Sequence, residues 1–454
     1  MLTLLTFSPI KIIQRKGRDD DTYNTVYGGA FLLRGASPDV SSLVLTDSIF
    51  RNNIATWDSG VIDNIGASIT ATGCIFENNE SQDGVGGVMY SDSDSTFERC
   101  RFEGNYAEYS GGALFFTGDL KATITDCDFD DNTAAIYDGG AIWLDEETKA
   151  HVKGSSFAAN SGGDWGGAIL SYGEVTEISH CTFDDNEAVS GGALYFDLFD
   201  TSAGVANIVS ASFAGNSGEN GGAVFAVDAT VHFQDCSFDN NAADFGGALF
   251  SAFSSSSIAN CNFSENSAFD GGAILVDGQY RGQTATFENC HFDENSADES
   301  GGAVFTTEAS VDFMACEFNK NKARFGGGVN LGSGSSISSF TDCHFSENGG
   351  SAMYLSVDTI VDGCTFEENF GFLGGAIVSR QTKLEIVGGT TFECNSALAG
   401  GAIMNNFGSV AISDVKLRTI RPEAALELCS MLEMQASKTL FLIKMSPVPT
   451  ELVL

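Results

Sequence analysis

One short pattern recurs along this chain and limits what it can fold into: Phe-x-x-Asn, a few residues, then Gly-Gly-Ala and an aliphatic residue. Its Phe stands at positions 50, 76, 102, 129, 157, 183, 213, 238, 263, 292, 318, 345, 366 and 392, fourteen copies about 26 residues apart. The Asn partners run from Asn53, Asn79, Asn105, Asn132, Asn160 and Asn186 to Asn369 and Asn395. Gly-Gly-Ala begins at Gly28, Gly111, Gly139, Gly166, Gly191, Gly221, Gly246, Gly271, Gly301, Gly374 and Gly400, with variants at Gly86 and Gly326. Between Asn348 and Met353 the connection is compressed. A period of this length marks a solenoid, in which each unit buries its apolar face only against its neighbours.

Within a repeat the segment before Phe reads Φ-x-x-Cys-x-Phe, as in Phe233 to Phe238. Residues two apart share one side of a strand, so Cys and Phe pair; the three-residue step from Φ to Cys breaks the alternation and predicts a bend. A third apolar run follows Gly-Gly-Ala, as in Ala273-Ile274-Leu275-Val276. The pattern predicts an all-β parallel β-helix of about fourteen coils, three short strands per coil, with strands stacked about 4.8 Å apart over about 65–70 Å. No repeat carries a helical stripe.

Repeated residues then become columns. Phe129, Phe183, Phe238, Phe263 and Phe292 form an inward aromatic stack. Asn132, Asn186, Asn241, Asn266 and Asn295 sit at a turn, where asparagine tolerates left-handed backbone and its amide bonds the coils above and below. Gly139-Gly140, Gly191-Gly192 and Gly271-Gly272 supply conformational freedom at another corner. Whether Ala or the next aliphatic residue faces inward is open at this stage. Ten of the 12 cysteines share one column, among them Cys236, Cys261, Cys290, Cys316, Cys343 and Cys364; Cys394 and Cys429 lie outside it. Ser155, Ala211 and Thr390 fill the same place elsewhere, so the column asks for a small, inward, weakly polar side chain with its thiol free. Inter-coil disulfides are the competing reading, disfavoured because stacked side chains point the same way.

Composition narrows function. With 22 Lys+Arg against 61 Asp+Glu, the net charge of −39 repels nucleic acid and anionic lipid. Residues 1–20 and 416–454 are slightly basic, so the excess acid lies between them. No apolar run is long enough for a membrane-spanning helix. Acidic pairs inside Phe-x-x-Asn, such as Asp130-Asp131, Asp184-Asp185, Asp293-Glu294 and Glu367-Glu368, read as solvated turns, with weak Ca²⁺ sites as the sharper alternative. No other cofactor is expected. The five His (His151, His180, His232, His291, His344) show no metal spacing; His291 and His344 follow Cys and should point outward. Acidic pairs that recur with the repeat argue for architecture rather than for one catalytic site, and basic residues for lyase chemistry are few and scattered. Thr123-Ile124-Thr125 has no in-register successors, which disfavours ice binding.

The alternation of Gly-Gly-Ala-[Ile/Leu/Val] with Phe-x-x-Asn, as in Phe263/Asn266 with Gly271-Gly272-Ala273-Ile274, resembles the chlamydial-type polymorphic outer membrane protein repeat over residues 28 to about 405. The resemblance implies a right-handed, single-stranded β-helix, exposure at the cell surface or outside the cell, adhesin activity in several members, and no catalytic residues. The chain departs from that family at its ends. Met1–Ile10 makes a poor signal peptide, and residues 416–454 are too short for an outer-membrane barrel. The reading divides the chain into an ill-defined segment 1–27, a β-helix over 28–415, and a non-repeat segment 416–454 in which 421–440 suits a short capping helix.

The expected function is non-catalytic: a surface or secreted display rod that binds a protein or glycan partner through its turns. A polysaccharide-active enzyme and a structural or Ca²⁺-associated wall protein are the alternatives. The insertions Asp197–Ala206 and Asp277–Thr284 are the first places to seek a partner site. Of two glycosylation sequons, Asn79 belongs to the turn ladder and Asn262 should face outward.

Overall fold

The computed structural model describes residues 29–34, 41–173, 175–198, 205–278, 284–334 and 337–418, with short strands at Leu5–Phe7, Lys11–Ile13, Arg421–Pro422, Phe441–Leu442 and Leu452–Val453. Most of segments 1–27 and 416–454, nearly all of the expected capping helix, Cys429, and the tips of both insertions lie outside the described residues. Every described element is a strand. The chain divides into two compact units, Met1–His232 and Phe233–Leu454. Each contains seven of the Phe-x-x-Asn repeats, and each is a parallel β-helix with three strands per coil.

In the first unit a coil runs through a lead strand (Lys149–Lys153), a phenylalanine strand (Ser156–Ala158) and a strand after Gly-Gly-Ala (Ile169–Ser171). Each stacks in parallel on its predecessor: Lys121–Thr125 on Lys149–Lys153, Asp128–Asp130 on Ser156–Ala158, Ile142–Leu144 on Ile169–Ser171. The second unit repeats this with Thr284–Glu288, His291–Asp293 and Ile274–Asp277 against Ser310–Met314, Glu317–Asn319 and Val304–Thr307. The segment between Asn and Gly-Gly adds a short fourth ladder that the sequence pattern does not announce, for instance Tyr106–Ala107 on Thr133–Ala134 and Phe370–Leu373 on Ser396–Ala399.

Three left-handed corners recur in the coils, and several coils add a fourth after the third strand, as at Asp228, Phe253, Glu308 and Gln381. The predicted bend before Cys is there: Asp126 (φ 52°) precedes Cys127. The second corner corrects the sequence reading. The left-handed residue is the one before Asn, as at Asp131 (φ 54°), Asp185 (φ 52°) and Glu294 (φ 55°), and not Asn itself. That corner turns the asparagine side chain inward, where it is needed. The third corner is the first glycine of Gly-Gly, such as Gly139 (φ 67°).

The open question about Ala and its aliphatic neighbour is settled by a bulge. Ala141 and Ile142 N–H both donate to Ala168 O, at 3.0 and 2.9 Å, so both side chains turn inward, and both are buried. Alternation resumes one residue later, with Trp143 outward and Leu144 inward.

Candidate functional site: a repeated interior and an acidic, aromatic edge

The repeated residues turn out to be interior. All fourteen repeat phenylalanines are at most 1% exposed. Their rings stack face to face, with centroids 4.5 Å apart for Phe102–Phe129, 4.9 Å for Phe157–Phe183 and 4.7 Å for Phe238–Phe263. Asn132 donates from its backbone N–H (3.1 Å) and from Nδ2 (2.9 Å) to Asn160 Oδ1, and its second Nδ2 proton goes to Phe102 O at 3.0 Å. Its own Oδ1 accepts the same pair of bonds from Asn105. Asn186, Asn266 and Asn295 repeat this arrangement, and Asn241 donates to Asn266 in the same way. Every polar atom of such an amide is satisfied although the residue is wholly buried, which is the condition for keeping it there.

The two glycines are required for different reasons. A Cβ on Gly139 would sit on a left-handed backbone 2.4 Å from Ile142 O. A Cβ on Gly140 would lie 2.0 Å from Gly167 O of the next coil. Gly191-Gly192 and Gly271-Gly272 repeat both conditions. These residues build the scaffold and offer no chemistry to solvent.

All ten column cysteines are free and buried. Their thiols donate to the carbonyl two residues back, Cys127 to Thr125 O and Cys236 to Gln234 O, both at 3.3 Å. Ser48 and Ser155 make the same bond at 2.8 and 3.1 Å, so the column selects a small donor. Burial pushes the Cys181 thiol up to about 11. Cys394, outside the column, is disulfide-bonded. A thiol titration without reductant should therefore find the column silent in the native protein at pH 8 and fully reactive in denaturant. A denatured count that rises after reduction by more than one disulfide would contradict the free-thiol column.

The outer surface is organised differently, in a way the sequence reading did not anticipate. Eight aromatic residues are prominently exposed among the described residues, and seven of them lie between Asn and Gly-Gly, or Ser59-Gly60 in its place: Trp57, Tyr137, Trp165, Phe245, Phe269, Phe370 and Phe372. Phe372 is 72% exposed. The signal was present as large apolar residues in a four- to six-residue segment that otherwise reads as a turn.

In the first unit the same edge is acidic. Asp58, Glu80, Asp83, Glu108, Asp138, Asp164, Glu187 and Glu219 occupy it, and no Lys or Arg does. Beside it, the outward column of the third sheet carries Tyr90, Phe115 and Trp143 in register, with Phe115 and Trp143 rings 4.2 Å apart. Trp165 of the edge stacks on Tyr195 of that column at 5.1 Å. Burial, then the charges of Asp92, Asp58, Asp63 and Asp145, hold the Tyr90 hydroxyl above its ordinary range. Arg34 donates to Asp63 at 2.7 Å.

Asp138 is the most perturbed carboxyl of this edge. Burial, with the Asp164 charge adding to it, pushes it up to about 7, while the Trp165 backbone N–H pulls weakly the other way. The charge of Asp138 in turn bears on Tyr172 and Tyr195. Because the folded value lies above the unfolded one, the folded state holds the extra proton between about pH 4 and 7, and stability falls as pH rises through that window. Asp138 is 9% exposed, and the shift corresponds to roughly 3–4 kcal/mol. Melting temperatures from pH 5 to 8 should fall more steeply for the native chain than for Asp138→Asn. Parallel curves would show that Asp138 ionises without strain.

His291 and His344 do face outward, toward Glu317 and Glu367 of the next coil, at 3.1 and 3.8 Å. Asn79 is buried and Asn262 exposed, as expected for the two sequons. Among the described residues, no group of three or more His, Cys, Asp or Glu is placed to hold a metal ion, and no helix is long and apolar enough to cross a membrane.

Comparison with known proteins agrees with this architecture. No curated protein and no solved structure matches the chain. A family model described as the right-handed β-helix region matches residues 29–201, 196–318 and 273–418. These matches take in both units and nearly every repeat, so the chain belongs to the right-handed β-helix family.

Proposed function

We propose that the chain is a non-catalytic, adhesin-like display scaffold at the cell surface or outside the cell. It binds a protein or glycan partner through the edge between Asn and Gly-Gly. The observation that carries this reading is that, among the described residues, seven of the eight prominently exposed aromatics lie on this edge, three in the first unit and four in the second. An aromatic side chain left in water forgoes about 1.5–3 kcal/mol of burial, and several of them on the same edge of each unit are the usual composition of a contact surface. The polymorphic outer membrane protein resemblance supports the surface location. The test is attachment: beads coated with the full chain should bind host cells or extracellular matrix, and soluble chain should compete. Coated beads that bind no better than bare ones would refute the reading.

Asp138 favours a second reading, a polysaccharide-active enzyme. A carboxyl protonated near neutral pH with a second carboxylate nearby is the arrangement of a general acid and its partner. A reducing-sugar screen over neutral polysaccharides tests it. Release that disappears in Asp138→Asn would make the chain an enzyme.

A further inference from the structure

The edge of the second unit shows what this surface takes when a cation is present. Arg324, two residues before Gly-Gly, lies 5.1 Å over the Phe325 ring and bonds both oxygens of Glu299, the residue at the same place one coil earlier, at 3.2 and 3.1 Å. Arg380, the last residue of the third strand Ile377–Arg380, reaches the Tyr354 hydroxyl at 2.7 Å and lies 6.0 Å from its ring. Tyr354 stands in the outward column of that sheet. Twice, then, a guanidinium of the chain itself covers an outward ring, and once it also joins a carboxylate.

In the first unit the rings and carboxylates recur without the guanidinium. Asp164-Trp165 stands where Arg324-Phe325 stands in the second unit. The place of Arg380 is held by Arg34 only in the first coil, and by Asp92, Asp145 and Asp197 in later ones. The other six Lys and Arg of residues 29–232 all lie elsewhere: Arg51 and Arg101 on phenylalanine strands, Lys121, Lys149 and Lys153 on lead strands, and Arg99 at the bend before Cys100.

We propose that this outward aromatic face of the first unit, between Asp58 and Glu187, binds an arginine-rich peptide segment of a partner protein. The inference rests on the adhesive reading above and names the chemistry of its partner. Guanidinium suits the surface better than ammonium, because one planar group lies over a ring and bonds a carboxylate at once, as Arg324 does through Nη1. A neutral glycan would leave the carboxylate charge uncompensated. A bound cation beside Asp138 favours its ionised form, so complex formation near pH 7 should release protons; Asp164, Tyr172, Tyr195 and the Trp165 N–H are the groups facing it.

The test uses the full chain and dye-labelled nona-arginine, read by anisotropy at physiological salt, where loose charge attraction is screened. Neutralising the edge (Asp58→Asn, Glu108→Gln, Asp138→Asn and Asp164→Asn together) should weaken binding by about tenfold or more. Removing equal charge from the phenylalanine sheet (Asp128→Asn, Asp130→Asn, Asp131→Asn and Asp184→Asn) should change it less than about threefold. Trp165→Ala should weaken nona-arginine by about fivefold and nona-lysine less. Equal losses in the two charge variants would mean attraction to net charge alone and overturn the proposal. Tighter binding of a chitosan hexasaccharide than of the peptide would assign a cationic glycan and overturn it also. If the peptide does not bind while edge neutralisation still abolishes cell attachment, the peptide inference fails and the adhesive reading stands.

Discussion

Gly140→Ala is expected to prevent folding of the first unit. The new Cβ would lie 2.0 Å from Gly167 O and 2.6 Å from the Ser161 carbonyl carbon, both backbone atoms that no rotamer change can move. Relief requires separating two coils, which breaks parallel ladders on both sides of the corner. The cost exceeds the roughly 4–5 kcal/mol beyond which single substitutions are exceptional. Gly389→Ala is the informative contrast. Gly389, unlike Gly140, is left-handed (φ 81°), but a Cβ there meets nothing within 4 Å, so the backbone penalty alone, about 1–2 kcal/mol, should appear. Circular dichroism melts of the two variants separate close approach from backbone strain. Similar losses in both would mean that the second glycine is chosen for its backbone freedom.

Asn160→Ala should be nearly as damaging, for a polar reason. The substitution leaves the Asn132 backbone N–H and Nδ2 without their acceptor, and Phe129 O without its 3.1 Å donor, all in a wholly buried place. At about 1–3 kcal/mol for each of the three stranded groups, the loss is about 3–9 kcal/mol. Asn160→Asp keeps the acceptor but sets a carboxylate against Phe129 O and Asn186 Oδ1, the two atoms to which Asn160 Nδ2 donates. At neutral pH it should be the worse variant, and it should recover part of its stability as the carboxyl protonates in acid. A solenoid unfolds in stages, so amide hydrogen exchange is the better readout: protection should fall first in the coils bearing Asn132, Asn160 and Asn186. Uniform loss of protection through the unit would contradict a nearest-neighbour ladder.

What the sequence disclosed follows from the same physics. Phe129, Asn132, Cys127 and Gly139-Gly140 recur because each coil presents one environment to its neighbour, so selection acts on a column fourteen times over. Period alone therefore places the Phe stack, the thiol column and both glycines inside. The corner at Asn was misplaced by one residue, because left-handed preference belongs to asparagine as a residue type. In this fold the demand for a buried amide overrides that preference and passes the corner to Asp131 or Glu294. The edge aromatics were not legible because they keep no strict register: Trp165 directly precedes Gly-Gly, whereas Tyr137, Phe269 and Phe372 stand one place earlier. Asp138 was invisible for a related reason. Its character comes from burial and from Asp164 and Trp165, which stacking brings to it from the next coil.

The central claim is a division of labour: repeated residues hold the solenoid, and the non-repeated aromatics between Asn and Gly-Gly meet the partner. The most direct test is one variant, Trp165→Ala with Phe269→Ala and Phe372→Ala, read for both melting and attachment of coated beads. The account predicts a melt within a degree or two of the native chain, on the order of a surface change, and attachment reduced by about tenfold or more. Undiminished attachment with an unchanged melt would contradict it, because the partner would then be held by some other part of the surface.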